Sequence, residues 1–254
     1  MPSLRHAALA TSLLAAAPGL PTQTTETFTL RGHPQRLHLL GPEQGPPAVV
    51  SSGDGGWIHL GPRVADLLAI RGYSVVGFDV KQYLSSFTNE RKTLATGDVP
   101  GDYRALVEHA RRGHDVRVVL LGISEGAGLS VLAASDPNLA PMLEGVLALG
   151  LPDTNELGWR FSDSLIYITK KTPKEPTFRT SDFIGVLSEV PLAALHSARD
   201  EYVPLEEVQR LMTQPGGPKR LWVVPAENHA FRGDNGFFER SLDEALRWIH
   251  DERR

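Results

Sequence analysis

Residues 116–134 read Val116-Arg117-Val118-Val119-Leu120-Leu121-Gly122-Ile123-Ser124-Glu125-Gly126-Ala127-Gly128-Leu129-Ser130-Val131-Leu132-Ala133-Ala134, and this stretch decides the fold. An apolar strand is predicted over Val116–Leu121 and an Ala- and Leu-rich helix over Ser124–Ala134. Between them stands G-x-S-x-G, at a strand-to-helix junction where a tight turn lifts a serine hydroxyl above a sheet. Both glycines answer to crowding, since a Cβ at either flank would strike the adjoining strand or helix. The helix N-terminus aims free N–H groups at the serine, where they can stabilise a developing oxyanion.

The same rhythm continues on both sides. Short apolar strands are predicted at Ala48–Ser51, Tyr73–Phe78, Leu143–Leu149, Leu192–His196 and Leu221–Val224. Helical spacing covers Trp57–Arg71, Pro100–Ala110, Leu205–Met212 and Phe237–His250. Unbroken apolar strands alternating with helices imply a mostly parallel, twisted sheet covered on both faces. Right-handed crossovers then bring the strand C-termini to one edge, where α/β proteins build their sites. Thr25–Leu40 alternates loosely around Arg31-Gly32-His33-Pro34 and is predicted to be an edge hairpin.

A nucleophilic serine needs a base, and the base needs an orienting acid. His229 follows the last strand on a polar loop and is the expected base, with His196 at the end of a strand as the runner-up. Asp200, in the turn after Leu192–His196, is the expected acid; Glu201 and Asp153 are the alternatives. The order Ser124, Asp200, His229 differs from the chymotrypsin and subtilisin orders. The loop Ser51-Ser52-Gly53-Asp54-Gly55-Gly56-Trp57 is rich in glycine and follows an early strand, so a backbone can approach a substrate there. The expected oxyanion donors are the N–H groups of Asp54 and Glu125. Gly53, Gly55, Trp57 and Tyr83 are the expected substrate contacts. The Asp54 side chain either receives a cationic amine of the substrate or caps the following helix.

Composition narrows the function classes. The chain has 254 residues, 41% hydrophobic and 22% charged, which suits one globular domain over 23–254. A net charge of −4 gives no support to nucleic-acid binding. The absence of Cys excludes disulfides, thiolate catalysis and cysteine-ligated metals. No dinucleotide loop, P-loop or H-E-x-x-H motif is present, so no cofactor and no metal are expected. Residues 1–22 carry Arg5 and His6 before an apolar run, Ala7 to Ala17, which fits a secretory leader. The expected location is therefore the periplasm or cell envelope. Residues 154–190 interrupt the strand–helix rhythm and are an expected insertion or cap ahead of the acid-bearing strand. Trp159, Phe161, Leu165, Ile166, Tyr167 and Ile168 there lie close to Lys170, Lys171 and Lys174. That pairing suits peripheral contact with an anionic membrane, although two core-packed strands with ordinary surface lysines explain it more simply.

These residues together are similar to the α/β-hydrolase fold. More narrowly, the chain resembles the bacterial VirJ/AcvB virulence-protein domain. The resemblance rests on Ser52-Gly53-Asp54-Gly55-Gly56-Trp57, on Asp79 with Gln82-Tyr83-Leu84 and Phe87-Thr88, on Gly122-x-Ser124-x-Gly126, and on Trp159-Arg160-Phe161. It departs from that family's pattern at Glu125, where an aromatic is usual, and at Gly128, where Asp is frequent. The resemblance implies a periplasmic hydrolase of aminoacyl-phosphatidylglycerol, a lipid-headgroup ester. A general carboxylesterase or peptidase, and a non-catalytic envelope or secretion partner on a hydrolase scaffold, are the competing expectations. The sequence implies no oligomeric state.

Overall fold

A computed structural model describes residues 23–160 and 175–254. The expected leader and residues 161–174 of the expected insertion lie outside the described residues. In chain order the strands are β1 (Thr24–Leu30), β2 (His33–Leu40), β3 (Pro47–Ser51), β4 (Ser74–Phe78), β5 (Val118–Ile123), β6 (Leu143–Leu149), β7 (Thr154–Glu156), β8 (Thr177–Arg179), β9 (Leu192–Ser197) and β10 (Lys219–Val224). The helices are α1 (Leu60–Ile70), α2 (Val80–Phe87), α3 (Val99–Arg111), α4 (Glu125–Ala134), α5 (Leu205–Leu211) and α6 (Phe237–Glu252).

Eight strands form one sheet in the order β1-β2-β4-β3-β5-β6-β9-β10. The β1–β2 hairpin is antiparallel and joins β4 antiparallel; from β4 to β10 every pairing is parallel. Strand alternation sorts the core into two layers, because successive side chains point to opposite faces. Val49 and Leu120 face the layer closed by α2, α3, α4 and α5. Val50 and Leu121 face the layer closed by α1 and α6. β3, β4 and β5 are buried along their whole length, as a doubly covered parallel sheet requires.

Three local expectations change. Gly122 and Ile123 belong to β5, so the strand runs up to Ser124 itself. Helix α1 starts at Leu60 and leaves Trp57 in the preceding turn. Helix α2 has no counterpart in the sequence reading. It is eight residues long, capped by the Asp79 carboxylate accepting from the Gln82 N–H at 3.0 Å. Such a cap contributes about 1 kcal/mol. One buried stripe, Val80, Tyr83 and Leu84, is too short to show clear helical periodicity.

The described parts of 154–190 form a two-stranded antiparallel ribbon, β7 with β8, followed by two single 3₁₀ turns. Phe178 and Ile184 bury in the α2–α5 layer. Phe161, the apolar residues 165–168 and the lysines at 170, 171 and 174 lie outside the described residues. No helix among the described residues is long and apolar enough to cross a membrane.

Candidate active site

Ser124 stands between β5 and α4 with φ 51° and ψ −117°, a sparsely populated conformation for a residue with a Cβ. The surroundings enforce it. The Ser124 N–H donates to the Leu149 carbonyl of β6 at 2.9 Å, and its own carbonyl accepts from the Ala127 N–H at 2.8 Å. A Cβ on Gly122 would strike Gly126 and Ala127, and one on Gly126 would strike the Ser51 and Ser52 carbonyls. The two glycines of the motif are therefore the condition for β5, α4 and β3 to meet as closely as they do. Glu125 is the first residue of α4, so its N–H has no intrahelical partner.

His229 comes from the loop after β10. Its ring sits over Gly150, the residue after β6: a Cβ there would lie 2.5 Å from His229 Cε1. Ser124, through its bond to Leu149, and His229, over Gly150, thus both stand at the C-terminal end of β6. His229 Nδ1 lies 2.6 Å from Asp200 Oδ2. Because a carboxylate only accepts, Nδ1 carries the proton and Nε2 is left to act as a base. The Asp200 side chain is 0% exposed and His229 16%. Burial pushes the Asp200 carboxyl up, but the hydrogen bond from His229 and those from the Val203 and Tyr202 N–H groups outweigh it and hold the group below the usual Asp range. The described residues show no hydrogen bond between the Ser124 hydroxyl and the ring; in unliganded enzymes this bond is often long and tightens with substrate.

The remaining sequence-derived candidates separate. Gly53 adjoins Ser124, with a Cβ there 3.4 Å from the Ser124 Cβ, so the Asp54 loop flanks the hydroxyl. The Ser52 hydroxyl pins that loop, donating to Gly53 O and accepting from the Val80 N–H. Gly55 is half-buried, with only Ile58 near its open side. Trp57 packs against the sheet. It stacks on His38 with ring centroids 4.6 Å apart and closes over Gly77, because the chain reverses at Gly56 with φ +91°. Tyr83 is not available to a substrate: it is 0% exposed, and its hydroxyl donates to Asp102 at 2.6 Å. Arg31 grips the same carboxylate, so Tyr83 fastens α2 to α3 and the β1–β2 turn. Asp153 pairs with Arg179 at 2.6 Å and does not approach His229.

Glu201, the alternative acid, and Tyr202 also stand near His229. The Glu201 carboxylate accepts from the His229 backbone N–H at 2.7 Å. The Tyr202 ring stands edge-on to the imidazole at 5.5 Å. Gly128 leaves a space that the Asn155 side chain of β7 fills. No group of three His, Asp or Glu residues that could hold a metal ion occurs among the described residues. A cleft of 1260 Å³ lies at the opposite sheet edge, lined in part by Arg71, Arg111, Arg117 and His250. Arg71 pairs with Asp243, Arg111 with Asp115 and His250 with Glu144, while Arg117 donates to the Arg253 carbonyl.

Glu125 supplies a test of the site's electrostatics. Its carboxyl is buried, accepts from the Glu156 N–H at 2.6 Å, and is pushed well above the ordinary Glu range by burial and by the charge of Asp54. The unfolded chain then releases this proton first, so stability falls as pH rises from the ordinary carboxylate range toward the folded value. Glu125→Gln keeps the acceptor and removes the ionisation. The variant is expected to melt several degrees above wild type at about pH 8 and level with it at about pH 4. An equal gain at both pH values would tie the effect to packing instead.

The family model described as bacterial virulence protein (VirJ) matches residues 47–147. That span holds the Asp54 loop and Ser124 and stops short of Asp200 and His229. The search of curated proteins returns no match. Among solved structures, the esterase Est1E from Butyrivibrio proteoclasticus is similar at 15% identity and TM-score 0.64, covering 90% of this chain and 98% of that one. A dienelactone hydrolase from Anabaena variabilis is similar at 14% identity and TM-score 0.65, covering 91% and 99%. A membrane phospholipase A described as a bacterial virulence factor is similar at 12% identity and TM-score 0.67, covering 90% and 87%.

Proposed function

We propose that this chain, which has the α/β-hydrolase fold and resembles the VirJ virulence-protein family over residues 47–147, is a serine hydrolase that cleaves a carboxylic ester. The observation that carries this reading is the 2.6 Å His229–Asp200 bond, set across Gly150 from a serine held at φ 51°. A binding protein on the same scaffold has no need of a buried acid, an oriented imidazole and a strained serine in one place.

In the reaction, Ser124 Oγ attacks the ester carbonyl and its proton passes to His229 Nε2. The negative charge on the carbonyl oxygen is met by the N–H groups of Glu125 and Asp54. The intermediate collapses, the alcohol leaves with the proton from His229, and the acyl group stays on Ser124. Water, deprotonated by His229, then releases the acid and restores the hydroxyl. Asp200 keeps its charge throughout and stabilises the imidazolium.

The substrate is an aminoacyl ester of phosphatidylglycerol, met in the cell envelope after export on the 1–22 leader. Two features support this. One is the VirJ resemblance. The other is the acidic Asp54, which follows Gly53 in the loop adjoining the nucleophile and is suited to the ammonium of an aminoacyl group. A charge-assisted contact of that kind is worth about 1.5–3 kcal/mol, about 10- to 100-fold in kcat/KM.

A paired assay tests it: lysyl- or alanyl-phosphatidylglycerol against a neutral acyl ester of the same lipid, with wild type and Asp54→Asn. Wild type is expected to prefer the aminoacyl lipid, and the variant to lose about 10-fold more on it than on the neutral ester. Equal wild-type rates on both would leave a general carboxylesterase. No turnover of either, with Ser124 also unreactive, would return the chain to the binding-protein reading.

A further inference from the structure

His196 is a buried titratable side chain that the reaction above leaves unused. It lies in β9, 0% exposed. Its Nε2 is 3.0 Å from the Val203 carbonyl oxygen. A carbonyl only accepts, so Nε2 carries the proton. Nδ1 is then a bare lone pair, buried and without a partner among the described residues. Burial lowers the pKa of this ring against the opposing pull of Asp200, which keeps the imidazole neutral.

The contacts run in series toward the base. Val203, whose carbonyl His196 holds, donates its own N–H to Asp200 Oδ1 at 2.9 Å. The Tyr202 N–H donates to the same oxygen at 3.0 Å. With Oδ1 occupied by the turn, Oδ2 is presented to His229. His196 Nε2 lies 4.0 Å from that Oδ2, near enough to add a favourable dipole and too far to displace the His229 bond. The charged or titratable groups acting on His196 are Asp200, His229 and Glu207.

We infer that His196 is a positioning residue: as a neutral Nε2–H donor it holds the Asp200–Val203 turn so that Asp200 Oδ2 faces His229. A cation in its place would compete with His229 for Asp200. An apolar ring would leave the Val203 carbonyl buried without a donor and free the turn to shift. The catalytic consequence rests on the serine-hydrolase reading, whereas the geometric claim does not.

The test uses the purified full chain with His196→Phe, which keeps a ring and removes the donor, and His196→Gln, whose Nε2 can replace it. Two readouts are compared in variants that melt cooperatively: the far-downfield proton resonance of the His229–Asp200 bond, and the rate of labelling by a fluorophosphonate. H196F is expected to lose or broaden the resonance and to label about 10- to 100-fold more slowly, the scale of a small misplacement. H196Q is expected to keep the resonance and most of the rate. A folded H196F with wild-type resonance and rate overturns the inference, as does equal loss in both variants. If H196F does not fold, His196→Asn replaces it, because its amide stops one bond short of the Val203 carbonyl; H196N behaving like H196Q then overturns the inference. If wild type is not labelled at all, the hydrolase reading fails, and the resonance still decides whether His196 sets the acid.

Discussion

Ser124→Ala is expected to abolish covalent labelling by a fluorophosphonate and to lower ester turnover by about 10⁶-fold. The size follows from what the side chain does: without Oγ no acyl-enzyme can form, and only the oxyanion donors and substrate positioning remain. The fold should survive. The elbow is held by the Ser124 N–H to the Leu149 carbonyl and by the Ser124 carbonyl to Ala127, both backbone bonds that alanine keeps. Alanine also bears the same Cβ as serine at φ 51°, so the backbone strain is unchanged. The check is labelling of wild type beside the variant, with matched melting temperatures. Labelling that persists in the variant would move the nucleophile elsewhere.

Asp200→Asn is expected to cost about 10⁴-fold in kcat. Asparagine can keep its carbonyl oxygen where Oδ1 accepts from the Tyr202 and Val203 N–H groups, so the turn persists. Its amide nitrogen then faces His229 Nδ1, where the carboxylate accepts a proton at 2.6 Å. Two donors cannot pair, so the ring turns to the other tautomer and Nε2 ceases to be a base. The variant also reports on pH. The Asp200 carboxyl is held below the ordinary Asp range despite burial, so it adds stability above the unfolded pKa, and that contribution is lost as pH falls through the folded value. Melts recorded from about pH 5 down to about pH 2 should fall more steeply toward acid in wild type than in D200N. Parallel curves would mean that the carboxylate is not stabilised in the folded chain.

Some of this was legible along the chain because it is local. A strand reads as an unbroken apolar run, and α4 follows β5 at once, so the place of Ser124 at their junction needs no long-range information. The parallel sheet followed from the same alternation, since strands buried on both faces have no polar side. The turns holding Asp200 and His229 were likewise placed by position, each directly after a predicted strand. Helix α2 was not legible, because eight residues hold only one buried stripe.

The tertiary structure decided which of these residues meet. Trp57 and Tyr83 sit beside site loops in sequence, yet one ring packs on His38 and the other donates to Asp102. A large aromatic is drawn to whatever apolar surface the sheet offers, and that surface is assembled from distant strands. Gly150 and Asn155 show no motif, but the space that one leaves for His229 and the other takes beside Gly128 exists only once β6, α4 and the last loop are packed. Glu201 and His196 act through hydrogen bonds to residues seven to 28 positions away. Periodicity and local crowding operate within a few residues, and so the sequence by itself determined the parallel strands of the sheet, the longer helices between them, and the elbow. Partners for buried polar groups are chosen across the sheet edge, and so the pairing of His229 with Asp200, and the side chains that hold that pair, were decided only by the fold.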